Sequence, residues 1–121
     1  MVKMKKIYKI SSFLNASFTV NLKRADDHQR ANTFEIRCDI ITSKKIIPFS
    51  DFEKAIEAVT NPLSGKYLND LPQFKSRLFS TEVLAEYLAN EIDKELRKID
   101  SKLSKIEVSE DPIRTVCFEV E

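Results

Sequence analysis

The chain is organised by two hydrophobic periods that succeed one another. From Phe34 to Ile40 it reads FEIRCDI, with Phe34, Ile36, Cys38 and Ile40 on one side and Glu35, Arg37 and Asp39 on the other. That is the period-two signature of a strand with one wet face. The segment 5–22 is rich in Ile, Phe, Val and Ser, and in its second half Phe18, Val20 and Leu22 share a face. The polar run KRADDHQRA at 23–31 separates the two and reads as the loop of a long antiparallel hairpin. The period then lengthens. SDFE at 50–53 is a Ser-x-x-Glu capping box that opens a short helix through about Val59, and Asn61-Pro62 ends it.

A second helix is predicted from Ser80, whose hydroxyl can cap the free N–H groups, with Phe79 and Leu84 placed for a hydrophobic staple. Leu84, Leu88, Ile92 and Leu96, joined by Tyr87 and Ile99, form its apolar stripe, which reads as core packing. Alternation returns from Leu103 to Val108 and at Val116, Phe118 and Val120, with Asp111-Pro112 as the turn between. The order ββααββ predicts an α+β fold: a four-stranded antiparallel sheet with both helices on one face. The edges of such a sheet are unprotected, and pairing with other subunits would cover them. Residues 61–79 hold Pro62, Gly65 and Pro72 and read as a long irregular loop, which in a compact domain is more often functional than idle.

Composition narrows the function. A length of 121 residues fits one domain, 1–121, and 42% hydrophobic with 32% charged residues is the balance of an ordinary globular protein. Twenty basic residues against nineteen acidic ones leave a net charge of +1, which gives no electrostatic case for nucleic acid as partner. No long uninterrupted apolar run is present, so neither a signal peptide nor a membrane span is expected, and the cytoplasm is the expected location. Cys38 and Cys117 both fall in predicted strands; two buried, reduced thiols are expected ahead of a disulfide. Gly65 is the one glycine. Phosphate-cradling loops need several, so a P-loop or dinucleotide fingerprint is excluded.

Candidate chemistry is sparse. The one histidine, His28, closes the run ADDH at 25–28. Asp26, Asp27 and His28 are candidate acids or bases, with Lys66 or Arg30 available to face an anionic group. The same run also reads as a solvated loop, the favoured reading.

Four pieces in register carry a family resemblance: LSGKYLNDL at 63–71 followed by Phe74, STEVLA at 80–85, VSEDP at 108–112, and Asp51-Phe52 at the start of the first helix. Together they resemble the 6-pyruvoyl-tetrahydropterin synthase and 6-carboxytetrahydropterin synthase family over nearly the whole chain. The resemblance implies the tunnelling fold, in which ββααββ subunits join their sheets into a barrel, as trimers or hexamers. It also implies a zinc ion held by three histidines, because zinc takes neutral imidazole nitrogens and polarises oxygen. FLNAS at 13–17 resembles the family's Phe-x-Ala-Ala-His and puts Ser17 at the first ligand position. Thr33-Phe34 matches the residues after the family's His-x-His and puts Arg30 and Asn32 at the other two. The family's cysteine corresponds to the Asp26–Asp27 region and its Asp-His pair to Ser64 and Gly65.

The resemblance therefore implies a divergent member in which zinc and the zinc-dependent reaction are not expected. What it leaves is Glu110, the glutamate that in the family accepts hydrogen bonds from the pterin ring, with Ser80 and Thr81 beside it. A carboxylate suits a two-donor ring edge because the contact is charge-assisted and bidentate. Glu110 is also readable as a polar strand end. Four functions stay open: binding of a pterin- or purine-like ring without catalysis, a metal-independent enzyme on a related heterocycle, a structural or assembly subunit, and, least favoured, a genuine synthase.

Overall fold

The computed structural model describes residues 1–19, 30–75 and 79–121, and of Arg30 the backbone. Strands β1 (Tyr8–Phe18) and β2 (Arg30–Thr42) pair antiparallel from Tyr8 opposite Ile40 to Phe18 opposite Arg30. β2 thus starts inside the stretch expected to be loop, because Ala31 and Arg30 find ladder partners in Ser17 and Phe18. Val20, Leu22, Asp26, Asp27 and His28 lie outside the described residues. β3 (Ser101–Asp111) pairs with β2, and β4 (Arg114–Glu119) pairs with β3, so the sheet order is β1-β2-β3-β4. β3 runs past both ends of the expected strand, and Val120 falls just beyond β4.

Helices α1 (Phe49–Thr60) and α2 (Thr81–Arg97) cover one face of the sheet, α1 against β1 and α2 against β3 and β4. Ile10, Leu14, Phe18, Phe34, Ile36, Ile106 and Val108 from the strands meet Phe52, Ile56, Leu84, Leu88, Ile92 and Leu96 from the helices. Each such side chain contributes about 1.5–3 kcal/mol when fully buried. The predicted stripe of α2 is buried, with Tyr87 and Ile99 half-buried at its margin and Ile99 past the helix end. Phe79 and Leu84, the expected staple pair, are both fully buried.

The two helix starts differ. Ser80 caps α2 as expected: its side chain accepts a hydrogen bond from the Val83 N–H at 3.2 Å. The expected capping box at Ser50 does not form. α1 begins two residues earlier, after Pro48, with no side-chain cap, and the Asp51 N–H bonds the Pro48 carbonyl at 3.1 Å. Proline's fixed φ sets that entry without a cap, and Phe49 packs edge-on against Tyr8 with ring centroids 5.8 Å apart.

The cysteines also separate. Cys38 is buried, but Cys117 is exposed, correcting the expectation of two buried thiols; both are free. Val116 and Phe118 of the edge strand β4 pack toward the core, so alternation turns Cys117, opposite Glu107, onto the sheet face that the helices leave bare. Burial, then the neighbouring Asp39, pushes the Cys38 thiol up to about 12.

Ser80→Ala should lower unfolding stability by about 1 kcal/mol, measured by urea denaturation. The buried neutral Cys38 thiol stabilises the fold fully below its unfolded pKa of about 8.5. That stability is lost as pH rises toward about 12, so stability should fall across this window, and Cys38→Ala should flatten the slope. In the native state a thiol reagent should label Cys117 quickly and reach Cys38 only on unfolding.

Candidate functional site

The regular ladders fail at one end of the sheet, and Glu110 sits at the failure. Ser109 pairs with Thr115 and Asp111 with Arg114, which leaves Glu110 as the extra, unpaired residue of a β-bulge. Bulges re-aim side chains and release backbone groups from the ladder. The β2–β3 ladder has already ended at Glu35 opposite Ser109, so the Glu110 carbonyl has no strand partner there. It is taken instead by the Asn32 side chain, whose Nδ2 donates at 2.9 Å. The Glu110 carboxylate lies at the head of α2, where Thr81 Oγ1 donates to Oε2 over a long 3.4 Å. Among the described residues no other group bonds that carboxylate. It borders two shallow concavities. One of about 200 Å3 is lined by Thr81, Glu82, Arg114, Thr115 and Val116. The other, of about 260 Å3, is lined by Phe13, Thr33, Glu35, Ser109, Asp111 and Pro112.

The turn beyond the bulge is held by Asp111, whose Oδ1 accepts from the Ile113 and Arg114 N–H groups at 3.0 Å each. Its Oδ2 receives the Arg114 guanidinium at 2.9 Å. The Ile113 N–H above all holds the Asp111 carboxyl below the usual carboxylate range; desolvation opposes it, and Arg114 adds to the lowering. Of the other expected contacts, Thr81 reaches Glu110, whereas the Ser80 hydroxyl is used in the cap.

Ser17 and Asn32 border one open concavity of about 610 Å3 together with Asn15, Ala16, Ala31, Thr33 and Gly65. They do not share a face. Ser17 pairs with Ala31 and Ala16 with Asn32. Directly opposed residues in an antiparallel ladder point the same way and neighbours point opposite ways. Asn32 is therefore on the helix-covered side with Ala16 and Phe18, and Ser17 is on the other. Phe18, opposite the Arg30 backbone, is 1% exposed and packs its ring 5.4 Å from Phe34 and 5.3 Å from Phe79.

The loop after α1 is less irregular than its composition suggests. Two single-turn 3-10 segments, Asn61–Leu63 and Leu68–Asp70, bracket a stretch that runs along the outer edge of β1. The Gly65 N–H bonds the Asn15 carbonyl at 2.7 Å and the Ser17 N–H bonds the Lys66 carbonyl at 3.0 Å. Gly65 has φ +74, the left-handed region that favours glycine. Beyond it Asn69 mimics a strand: Oδ1 accepts from the Thr19 N–H at 2.8 Å and Nδ2 donates to the Thr19 carbonyl at 2.9 Å. Tyr67 Oη adds a 2.8 Å bond to Thr19 Oγ1. This covers part of the β1 edge that was expected to lie open. The residues Tyr67 and Asn69 were missed as positioning groups, although the Leu-Asn-Asp run that holds Asn69 was visible.

The 6-pyruvoyl tetrahydropterin synthase family model matches residues 12–121. The chain belongs to that family. Among solved structures, the 6-pyruvoyl tetrahydropterin synthase of Caenorhabditis elegans superposes with TM-score 0.71 at 13% identity, covering 99% of this chain and 100% of that one. An uncharacterized protein of Wolinella succinogenes gives TM-score 0.68 at 11% identity, covering 97% and 100%. The Plasmodium falciparum enzyme of the same name gives 0.61 at 16%, covering 93% and 96%. No curated protein matches this chain in sequence. The expected ββααββ sheet with two helices on one face is thus the family's fold.

The residues where a zinc ion would be expected in this family do not fit one. Zinc takes imidazole, thiolate or carboxylate donors. Asn32 offers an amide that already serves the Glu110 carbonyl, and the Ser17 hydroxyl lies on the opposite face of the sheet. Among the described residues, no three His, Cys, Asp or Glu side chains converge. Also among them, no helix is long and apolar enough to cross a membrane.

Asn69→Ala removes two hydrogen bonds and leaves the Thr19 N–H and carbonyl, part of a 6%-exposed residue, without those partners. A loss of about 2 kcal/mol is expected, with faster hydrogen exchange confined to the β1 end and the 64–70 loop.

Proposed function

We propose that this family member binds a pterin- or purine-like ring at Glu110 without the zinc-dependent reaction of the family. The observation that carries the reading is the bulge. It lifts Glu110 out of the ladder and leaves a carboxylate, met among the described residues only by a long bond from Thr81, at the mouth of two concavities. Such a group accepts two parallel N–H donors from the amino-pyrimidine edge of a pterin, and each charge-assisted bond is stronger than a neutral one. Thr81 and Thr115 supply hydroxyls around the same concavity. The register supports Phe18, rather than Ser17, as the residue standing at the first ligand position beside Arg30 and Asn32. No Lewis acid is then available at that place, and ring binding rests on the protein's own groups.

The open outer edge of β4 and the bare polar face of the sheet support a homo-oligomer, a trimer or hexamer with sheets joined into a barrel. A second reading, a metal-independent enzyme, is favoured by one comparison. The structure of a Plasmodium vivax 6-pyruvoyltetrahydropterin synthase variant, TM-score 0.58 at 15% identity, is of a protein altered at a catalytic glutamate. Acidic side chains can thus do chemistry in this family, and Asp26 and Asp27, with His28, would be the acid–base candidates here. Activity retained in Asp27→Ala and His28→Ala would remove them.

The test is a titration of unsubstituted pterin followed by its fluorescence. The wild-type chain should bind, a metal chelator should leave the affinity unchanged, and Glu110→Gln should weaken it by ten- to a hundredfold, as expected for about 1.5–3 kcal/mol of charged hydrogen bonding. No binding at millimolar pterin sinks the reading.

A further inference from the structure

The side chain at position 32 does something a metal ligand would not do. Its Nδ2 reaches across from the start of β2 to the carbonyl of Glu110, 78 residues away in sequence, at 2.9 Å. That carbonyl belongs to the bulge residue itself, which has no paired residue in the ladder of either neighbouring strand. A bulge residue is held less firmly than a paired one, since its own backbone bonds are lost from the ladder. The direction of the Glu110 side chain follows its backbone, and among the described residues only the 3.4 Å bond from Thr81 fixes the carboxylate otherwise. Two tethers therefore define where the charge sits: the Asn32 amide on the backbone and the Thr81 hydroxyl on the carboxylate. They come from β2, whose Thr33 and Glu35 line one of the two concavities, and from the head of α2, whose Thr81 and Glu82 line the other.

We propose that Asn32 is a positioning residue for ligand binding: its amide donor fixes the bulged backbone of Glu110, which aims the carboxylate at the ring. This rests on the ring-binding reading above. A position at which zinc would require a lone-pair donor has become a hydrogen-bond donor, N–H rather than N. The geometry at position 32 thus favours holding the ligand's anchor in place over reacting with the ligand. An imidazole N–H at position 32 can donate in the same direction, whereas a carboxylate cannot donate and would repel both the carbonyl and Glu110.

The experiment is pterin titration of the full chain in the presence of a chelator, comparing wild type with Asn32→Ala, Asn32→Asp, Asn32→His and Glu110→Gln, each checked for folding by its thermal transition. Expected are a roughly tenfold weaker affinity for Asn32→Ala, a larger loss for Asn32→Asp, and recovery toward wild type for Asn32→His. If wild type itself does not bind, the ring-binding reading fails and the inference with it. If wild type binds and Glu110→Gln weakens binding while Asn32→Ala does not, the ring-binding reading stands and the positioning role is overturned. A lowered melting temperature in Asn32→Ala with unchanged affinity also overturns it, as does Asn32→Asp binding as tightly as wild type. If Asn32→Ala and Asn32→Asp do not fold, Asn32→His alone decides: tenfold or greater loss with an intact thermal transition counts against hydrogen-bond donation.

Discussion

Everything in this structure depends on the antiparallel register of β1, β2 and β3. Because a strand's side chains alternate, that register sorts the sequence into two faces, and a slip of one residue would exchange them. One face gathers Leu14, Phe18, Phe34, Ile36, Ile106 and Val108 and is roofed by the two helices. The other gathers Lys9, Glu35, Arg37, Asp39, Lys105 and Glu107. Apolar burial and not the charges holds the register. Lys9 reaches the largely buried Asp39 at 2.9 Å, but its own side chain is 69% exposed, and solvent screening at that end keeps such a pair to about 1 kcal/mol. A single buried phenylalanine exceeds that.

The same register explains why the candidate site lies at one end. Where pairing is regular, backbone groups are satisfied by neighbours and side chains are fixed as in or out. Where it stops, side chains take over backbone partners: Asn69 pairs with Thr19 as a strand would, and Asn32 pairs with the Glu110 carbonyl. Both asparagines serve because an amide carries donor and acceptor on one planar group, as a peptide does. At the opposite end of the sheet, the concavity of about 340 Å3 beside Ile41 and Lys102 shows no comparable release. There the Asp100 carbonyl accepts from the Ser43 N–H and from the Thr42 and Ser43 hydroxyls, which ties the end down.

Part of the candidate site's geometry was legible. Glu110 and Thr81 were marked from the runs VSEDP and STEVLA, and the structure places them together. Ser17 was set beside Arg30 and Asn32 by matching short strings, and the strings could not say which face each residue takes. In the ladder Ser17 pairs with Ala31 and Ala16 with Asn32, so Ser17 and Asn32 take opposite faces of the sheet. Cys117 was misjudged for a related reason. A residue in a strand is buried only if its face is covered, and the sequence does not say which face the helices choose.

The sequence by itself determined the order of elements, the faces of β2 and α2, the Ser80 cap and the absence of glycine-rich phosphate loops. All of these follow from local period, local capping and composition, which act over a few residues. Only the tertiary structure decided the bulge at Glu110, the bond from Asn32 to its carbonyl, the strand-like service of Asn69 and the exposure of Cys117. Each of these joins segments far apart in the chain or depends on which of them lie adjacent. Register between distant strands is set by the packing of the whole core, and no local pattern encodes it.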